Sequence, residues 1–341
     1  LSAYSLKPGG CRMSLAGEAV AVSHGVSVDR DMLVAKKETI ASGVVALTLA
    51  DSTGEGLPQW APGSHIDVEI SPGVVRQYSL CGSTDDQQSW TIAVLREDGG
   101  RGGSRHIHDE VEEGSLIRVL ALRNLFPLEP AESYLFIAGG IGITPLIPML
   151  AAADADQRPW RLYYGGRSRD SMAFAHDLSV RYGPNVVLQP EDEQGMLDLA
   201  AILDSPAPGQ HVYCCGPTGL ISAVEEICRQ RWPDGRVHAE RFSADSSSLA
   251  TDTPFEIVLR STGEHITIPA DRSILAVLNE DHGMELISGC EQGICGTCEI
   301  NVVDGVPDHR DQVLSAEERE LNKSMMTCVS RCLEGPLTLD L

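Results

Sequence analysis

Basic residues are scarce in this chain. Its 341 residues hold 26 lysines and arginines against 49 aspartates and glutamates, a formal net charge of −23. Nucleic-acid phosphates would repel such a surface, so nucleic acid is excluded as a partner. Long apolar runs are also lacking. The longest, Tyr134 to Leu150, is interrupted by Gly139, Gly140, Gly142, Pro145 and Pro148, which suits a strand, a glycine loop and a helix better than a membrane span. No basic start, apolar centre and small-residue cleavage site mark a signal peptide. No Ser/His/Asp constellation points to hydrolysis. What remains is a globular chain expected in the cytoplasm, 42% hydrophobic with a mean hydropathy of −0.08. Its length suffices for two or three domains with their own cores.

Cysteine is plentiful by contrast, with ten residues. Disulfides are not expected in a chain of this size and character. Cys290, Cys295 and Cys298 form a C-x4-C-x2-C run, and Cys328 follows after a 29-residue gap. That spacing is the plant-type pattern for a 2Fe–2S cluster. A structural zinc site is the competing reading, but it pairs two short knuckles around one tetrahedral ion. Gly293 and Gly296 let the backbone wrap closely enough for amides to reach cluster sulfurs. Cys332 is the one credible substitute ligand, and the other cysteines read as free thiols. A 2Fe–2S cluster passes single electrons, so a one-electron partner is implied.

Charge is uneven along the chain. From Asp252 to the end there are 17 acidic and 6 basic residues. Two readings stand: a solvated acidic surface, or a docking face that steers a basic redox partner.

Three segments follow in order. Residues 1–29 are Ser/Gly/Ala-rich and read as a tail or interdomain linker. The chain begins at Leu1, so Met13 as a start and a cut from a longer fusion both stay open. From 30 to 130, short runs such as Val44–Leu49, His65–Ile70 and Trp90–Leu95 alternate with turn residues, the rhythm of an antiparallel β-barrel. From 131 to 242, strands ending in small residues alternate with helical patterns, which predicts an α/β domain with a parallel sheet. A polar linker is expected over 243–253. From 254 to 341 the pattern predicts a hairpin (Phe255–Arg260 and His265–Ile268), a helix near Ser273–Asn279, the cysteine loop and a short closing strand.

Each segment offers binding residues. Arg76-Gln77-Tyr78-Ser79 lies on a strand, with Arg76 and Tyr78 on one face and Ser79 opposite or at a bend. An arginine fork suits a phosphate, an aromatic suits a flat heterocycle, and Gly102-Gly103-Ser104 supplies amides and a hydroxyl. A surface Arg–Tyr pair is the plainer reading. Gly139-Gly140-Ile141-Gly142-Ile143-Thr144-Pro145 follows a buried-looking strand and suits a pyrophosphate at a helix start, or else a tight structural turn. Cys215-Gly216-Pro217 closes a later strand, where ligands of such sheets bind. Cys215 also reads as a small buried hydrophobe.

The order Arg-x-Tyr-Ser, Gly-Gly-x-Gly-x-Thr-Pro, Cys-Gly-Pro and C-x4-C-x2-C…C resembles the phthalate dioxygenase reductase family, and within it the vanillate O-demethylase reductases. The likeness runs from about residue 30 to 341. It implies an FMN-binding β-barrel, a nicotinamide-binding α/β domain and a plant-type ferredoxin domain of α+β, β-grasp form. By resemblance, Arg76 and Ser104 hold the FMN phosphate and Gly102 and Gly103 line its loop. Gln77, Tyr78 and Ser79 border the flavin, with backbone from Ala93 and Val94. Gly139, Gly140, Gly142, Thr144 and Pro145 line the dinucleotide site, and Gly216 and Pro217 adjoin it. Cys215 lies near the nicotinamide and Phe242 near the flavin, so Ser79, Cys215 and Phe242 are the candidates beside the reacting atoms. NADH is the expected donor; Arg167 and Arg169 facing a 2′-phosphate would admit NADPH. His309-Arg310 reads as a solvated turn or a partner contact.

The implied activity is NADH-dependent reduction of a terminal oxygenase, a Rieske-type aromatic dioxygenase or O-demethylase. Alternatives are the reductase part of a fused haem monooxygenase, a ferredoxin-type carrier without NADH oxidation, and a flavin reductase with a vestigial cluster. Replacing one ligand separates the last from the first. We expect Cys295→Ser to abolish electron delivery to a partner oxygenase while NADH still bleaches the flavin in stopped-flow absorbance.

Overall fold

A computed structural model describes residues 25–54, 56–71, 74–233, 236–243 and 252–341. Most of the expected tail, up to residue 24, lies outside the described residues, as do residues 244–251 of the expected linker. One boundary shifts. Gly25 to Asp29, read as tail, already belong to strand β1 and pair with a strand that comes later in the chain.

Six strands make the first sheet: β1 (Gly25–Ala41), β2 (Val44–Asp51), β3 (Ser64–Ser71), β4 (Val74–Ser79), β5 (Ser89–Leu95) and β6 (Leu116–Asn124). They run antiparallel in the order β4-β3-β6-β1-β2-β5. The sheet curls until its two edges meet through a bridge between Leu80 and Ile92. Alternation drives this closure: Val34, Leu47, Leu49, Ile66, Val68, Trp90 and Ile92 turn inward and are fully buried. Burying each such side chain is worth about 1.5–3 kcal/mol. Helix α1 (Gly103–Asp109) then lays Ile107 into that core.

The second sheet holds β7 (Ser133–Gly139), β8 (Trp160–Gly166), β9 (Val186–Pro190), β10 (Gln210–Cys215) and β11 (Val237–Glu240), all parallel, in the order β11-β10-β7-β8-β9. Helices α2 (Leu146–Ala155), α3 (Ala175–Tyr182), α4 (Glu191–Gln194), α5 (Leu199–Ile202) and α6 (Thr218–Arg231) join them. Strand β7 is apolar on both faces because both are covered. Tyr134, Phe136 and Ala138 pack with Leu146, Met149 and Leu150 of α2; Leu135 and Ile137 pack with Ile221, Val224 and Cys228 of α6.

The chain leaves β7 for β8 on one side and returns to β10 on the other. This is the switch point where such sheets bind ligands. Here the glycine turns press together. A Cβ on Gly142 would fall 2.3 Å from the Cys215 carbonyl oxygen, and one on Gly139 would fall 2.7 Å from Pro217 and Leu220. Gly140 has φ +55° but open space around it. Two of the three glycines therefore serve chain-to-chain packing.

The third sheet contains β12 (Phe255–Leu259), β13 (His265–Ile268), β14 (Glu299–Asp308), β15 (Ser324–Met326) and β16 (Arg331–Leu339), in the order β13-β12-β16-β14-β15. Helix α7 (Ile274–Glu280) starts at Ser273, whose hydroxyl accepts the Ala276 amide, and α8 (Ala316–Leu321) starts in a Ser315/Glu318 capping box. Three strands and a helix thus replace the single short closing strand expected from the sequence. Gly305 and Pro307 are residue types that favour turns, but β14 absorbs them in register shifts along its pairing with β16. His309-Arg310 is not a freely solvated turn. The Arg310 guanidinium donates to both oxygens of Asp252 at 2.8 Å, and the His309 side chain is buried.

Among the described residues no helix is long and apolar enough to cross a membrane. The crowding at the switch point sets a graded expectation. Gly142→Ala should lower unfolding free energy by about 2–4 kcal/mol. Gly140→Ala should cost only about 1–2 kcal/mol, from its left-handed φ. Denaturant melts of the two variants compare them directly.

Candidate active site

All three domains contribute to one cavity of about 520 Å³, within the range of small-molecule and cofactor sites. Arg76, Gln77, Tyr78 and Ser79 of β4, Ala93 and Val94 of β5, and Gly103 and Ser104 of α1 form its barrel wall. Ile141, Thr144 and the stretch Ala239 to Ser243 form the second wall, and Cys290 and Cys295 belong to the third.

Strand alternation sorts the barrel wall. Tyr78 packs against the barrel core. Gln77 faces the other way and donates to its cross-strand neighbour Asp67 at 3.0 Å. Asp67 is fully buried and accepts from Arg123 Nε at 2.8 Å. The Arg76 side chain lies across Gly103, where a Cβ would come within 2.8 Å of Arg76 Cγ. Burial first, and then neighbouring Arg101, pull the Arg76 guanidinium below its ordinary pKa. Two cations side by side at one end of a cavity form a cradle for an anion. His65 lines the same cavity, and its buried Nε2 has no hydrogen-bond partner. An orphaned ring nitrogen, two guanidinium groups and flanking aromatics fit a planar heterocycle that carries a phosphate. The Ser104 hydroxyl also holds the loop, accepting the Glu97 amide at 3.0 Å.

On the second wall, Phe242 is 45% exposed and belongs to the cavity rim; it is not a core residue. Thr144 is buried with its hydroxyl donating to the Ile141 carbonyl at 3.0 Å. Gly102, Gly139, Gly140, Gly142, Pro145, Arg167, Cys215, Gly216 and Pro217 are not among the cavity-lining residues. Cys215 is sealed behind the wall, its thiol 4.0 Å from Glu240 Oε2, and burial pushes it well up. Glu240 faces the cavity instead. Part of its surface is open to that space, but protein surrounds its carboxyl, and this desolvation raises it to about 8. At neutral pH it is mostly a protonated acid and can donate a hydrogen bond.

The four candidate ligand cysteines, Cys290, Cys295, Cys298 and Cys328, are buried and come as two pairs. Cys290 meets Cys295, whose Sγ also accepts the Cys290 amide at 3.4 Å, and Cys328 meets Cys298. The Cys295 thiol and the amides of Ile294 and Gln292 hold Cys290 down at about 7. Among the described residues, no three His, Cys, Asp or Glu side chains gather closely enough for a single metal ion. Two thiol pairs with amides aimed at sulfur suit two bridged irons better than one tetrahedral zinc. Cys332 lies on β16 opposite Pro307 and packs against the core of the third sheet, whereas Cys298 and Cys328 share a separate cluster.

The cysteine loop is fastened to the barrel. Ser288 forms a parallel bridge with Val74 at the edge of β4. The Gly289 carbonyl accepts from Arg101 at 3.2 Å and from Arg76 at 3.4 Å. Sequence reasoning missed His65, Arg101 and Glu240. Arg101 adjoins the glycine pair and was legible there; Glu240 stands two residues before Phe242 but carries no motif of its own; His65 had no signal.

Comparison with known proteins agrees with this geometry. Residues 257–333 match the 2Fe-2S iron-sulfur cluster binding domain and residues 136–226 the oxidoreductase NAD-binding domain. The phthalate 4,5-dioxygenase oxygenase reductase subunit of Pseudomonas putida is 38% identical over 314 residues, 91% of this chain and 95% of that protein. The crystal structure of phthalate dioxygenase reductase, a modular structure for electron transfer from pyridine nucleotides to [2Fe-2S], superposes with TM-score 0.69 at 37% identity, covering 92% of this chain and 98% of that one. An intact type IV self-sufficient cytochrome P450 monooxygenase superposes with TM-score 0.85 at 43% identity, covering 92% of this chain. This chain spans only 41% of that protein's length.

The Glu240 carboxyl gives a pH signature. Its folded pKa of about 8 exceeds the ordinary 4.5, so the folded state holds a proton that the unfolded state releases. Stability therefore falls as pH rises from about 4.5 to about 8 and levels off above. Glu240→Gln should remove this loss, gaining on the parent by up to a few kcal/mol across that window. Thermal melts of both proteins at several pH values test it.

Proposed function

This chain belongs to the phthalate dioxygenase reductase family, and from that membership and the three-walled cavity we propose how it works. It is an oxidoreductase that takes electrons from a reduced nicotinamide and delivers them to a terminal oxygenase component. The observation that carries the reading is the cavity itself. Flavin-type residues of the barrel, Phe242 and Glu240 of the nucleotide domain, and ligands Cys290 and Cys295 share one space.

When bound, FMN supplies the exchange between hydride pairs and single electrons, and the 2Fe–2S cluster supplies one-electron transfer. The protein's residues bind, align and shield. Arg76, with Arg101 beside it, neutralises the FMN phosphate, and the loop of Gly102, Gly103 and Ser104 surrounds it. Tyr78, Ser79 and the backbone of Ala93 and Val94 border the ring. Phe242 covers the ring face where a nicotinamide must enter, and its exposure suits a side chain that moves aside. Protonated Glu240 presents a donor to a carboxamide, with Cys215 packed behind it as a spacer. Gly140 and Thr144 adjoin the pyrophosphate. Hydride transfer needs alignment and exclusion of water rather than a general base. Cys290, Cys295, Cys298 and Cys328 hold the cluster.

NADH is the favoured donor. Arg169 is already held by Glu193 through contacts of 3.2 and 2.9 Å, and Glu191, Asp192 and Glu193 open α4 beside it. Negative charge there disfavours a 2′-phosphate. The partner we favour is a separate Rieske-type oxygenase, with the protein working in the cytoplasm. A second reading, the reductase portion of a haem monooxygenase, is favoured by the superposition on the self-sufficient cytochrome P450. The reading frame upstream of Leu1 separates the two.

Anaerobic mixing with NADH should bleach flavin absorbance first and cluster absorbance second; absence of both changes would end the proposal. Arg76→Gln should weaken FMN binding to the apoprotein by about 10- to 100-fold, the loss of one charge-assisted contact, as read by flavin fluorescence titration.

A further inference from the structure

One polar chain, buried at its Arg123–Asp67 end and half-buried beyond, crosses from the barrel to the cysteine loop, and the proposed function does not use it. Arg123 Nε donates to Asp67 Oδ2 at 2.8 Å. Gln77 Nε2 donates to Asp67 Oδ1 at 3.0 Å and to Thr297 Oγ1 at 3.2 Å. Thr297 Oγ1 lies 3.2 Å from Cys295 Sγ. Two residues 220 apart in sequence, Gln77 of the barrel and Thr297 of the cysteine loop, are thus joined directly. The fit is tight, since a Cβ on Gly289 would come within 2.2 Å of Gln77 Nε2.

The donor inventory sets the direction of the chain. A side-chain amide nitrogen has two protons, and Gln77 spends one on Asp67 and the other on Thr297. Asp67 is anchored by a buried arginine and turns the amide nitrogen, rather than its oxygen, toward the loop. The Thr297 oxygen therefore accepts, leaving its own proton to be donated. Its remaining neighbour on this path is Cys295 Sγ. As an iron ligand that sulfur carries no proton and can only accept.

We infer that Gln77 is a positioning residue: it orients the Thr297 hydroxyl to donate to the Cys295 sulfur, so that docking of the barrel raises the reduction potential of the cluster. Hydrogen bonds to cluster sulfurs are an established lever on potential, because they stabilise the reduced, more negative state. The consequence is local to this assembly. The cluster becomes a better electron acceptor while the flavin barrel is seated against it. The inference rests on the proposed cluster and extends it to the domain contact.

The test uses the intact holoprotein and reads the cluster rather than turnover. Potentiometric titration followed by EPR gives the midpoint potential and g-values of the parent, Gln77→Met, Thr297→Val, Thr297→Ser and the Gln77→Met/Thr297→Val double variant. Gln77→Met keeps the length and loses the donors. We expect Gln77→Met and Thr297→Val each to lower the midpoint potential and shift the g-values. The double variant should lie no lower than the lower single, since both break one chain. Thr297→Ser should retain the parent's values. Iron content is measured for each. Should Gln77→Met not retain its cluster, Gln77→Asn carries the test, because its amide is one methylene too short to span both partners. An unshifted potential and unshifted g-values in the Gln77 variant, or additive shifts in the double variant, would overturn the inference while leaving the electron-transfer function intact. A parent protein with no EPR signal after dithionite would overturn both.

Discussion

A strand at the edge of a sheet carries N–H and C=O groups that must find partners, and β4 is such an edge in the curled barrel. The cysteine loop supplies some of them. Ser288 bridges Val74, and Gly289 offers its carbonyl to Arg76 and Arg101. Two residues after Arg76 in the same strand lies Tyr78, the aromatic of the cavity's barrel wall. One short strand therefore both lines the cavity and anchors the cysteine loop, so that Cys290 and Cys295 join Tyr78 and Ser79 around one space. The nucleotide domain meets the barrel along another seam, where Ile141, Ile147 and Phe174 pack against Val44 and Ala93. Domains seated through few polar contacts can keep their spacing only if those contacts are buried and satisfied.

The burial is electrostatically demanding. Asp67 and Arg123 form an ion pair with almost no solvent exposure, and such a pair is weak evidence of stability because desolvation opposes the attraction. Its value here is directional. Fixed charges hold Gln77, and Gln77 holds the loop. Glu240 represents the opposite case, a carboxyl with no cation beside it, kept protonated by desolvation. A site with one neutral acid, two crowded arginines and an orphaned histidine nitrogen is unsatisfied by itself and improves when a flat anionic ligand enters.

Much of this was legible beforehand, and the reasons are physical. Cysteine spacing is legible because C-x4-C-x2-C with a distant fourth cysteine follows the plant-type 2Fe–2S pattern rather than two short zinc knuckles, and residues 257–333 match a 2Fe-2S domain. Ser273 and Ser315 announced nothing beyond helix starts, and only the first of those helices was read. The closing strands were missed because Gly305 and Pro307 imitate a turn, whereas pairing with β16 tolerates them as irregularities. Glycines read as ligand contacts proved to be partly packing: Gly139 and Gly142 are small because Pro217, Leu220 and the Cys215 carbonyl lie against them. Glycine looks the same in sequence whether backbone or pyrophosphate approaches it.

The amino-acid sequence alone determined the order of the three domains, the strand and helix type of most elements, the cysteine spacing of a 2Fe–2S domain and the acidic character of the C-terminal quarter. These are properties of local periodicity, spacing and composition, which the chain carries wherever it goes. Tertiary structure decided what faces what: that Glu240 rather than Cys215 enters the cavity, that Arg310 is paired with Asp252, that Arg101 joins Arg76, and that Gln77 reaches Thr297. Each of those depends on contacts between residues far apart in the chain. No local pattern encodes such contacts, because their partners are chosen by burial and docking.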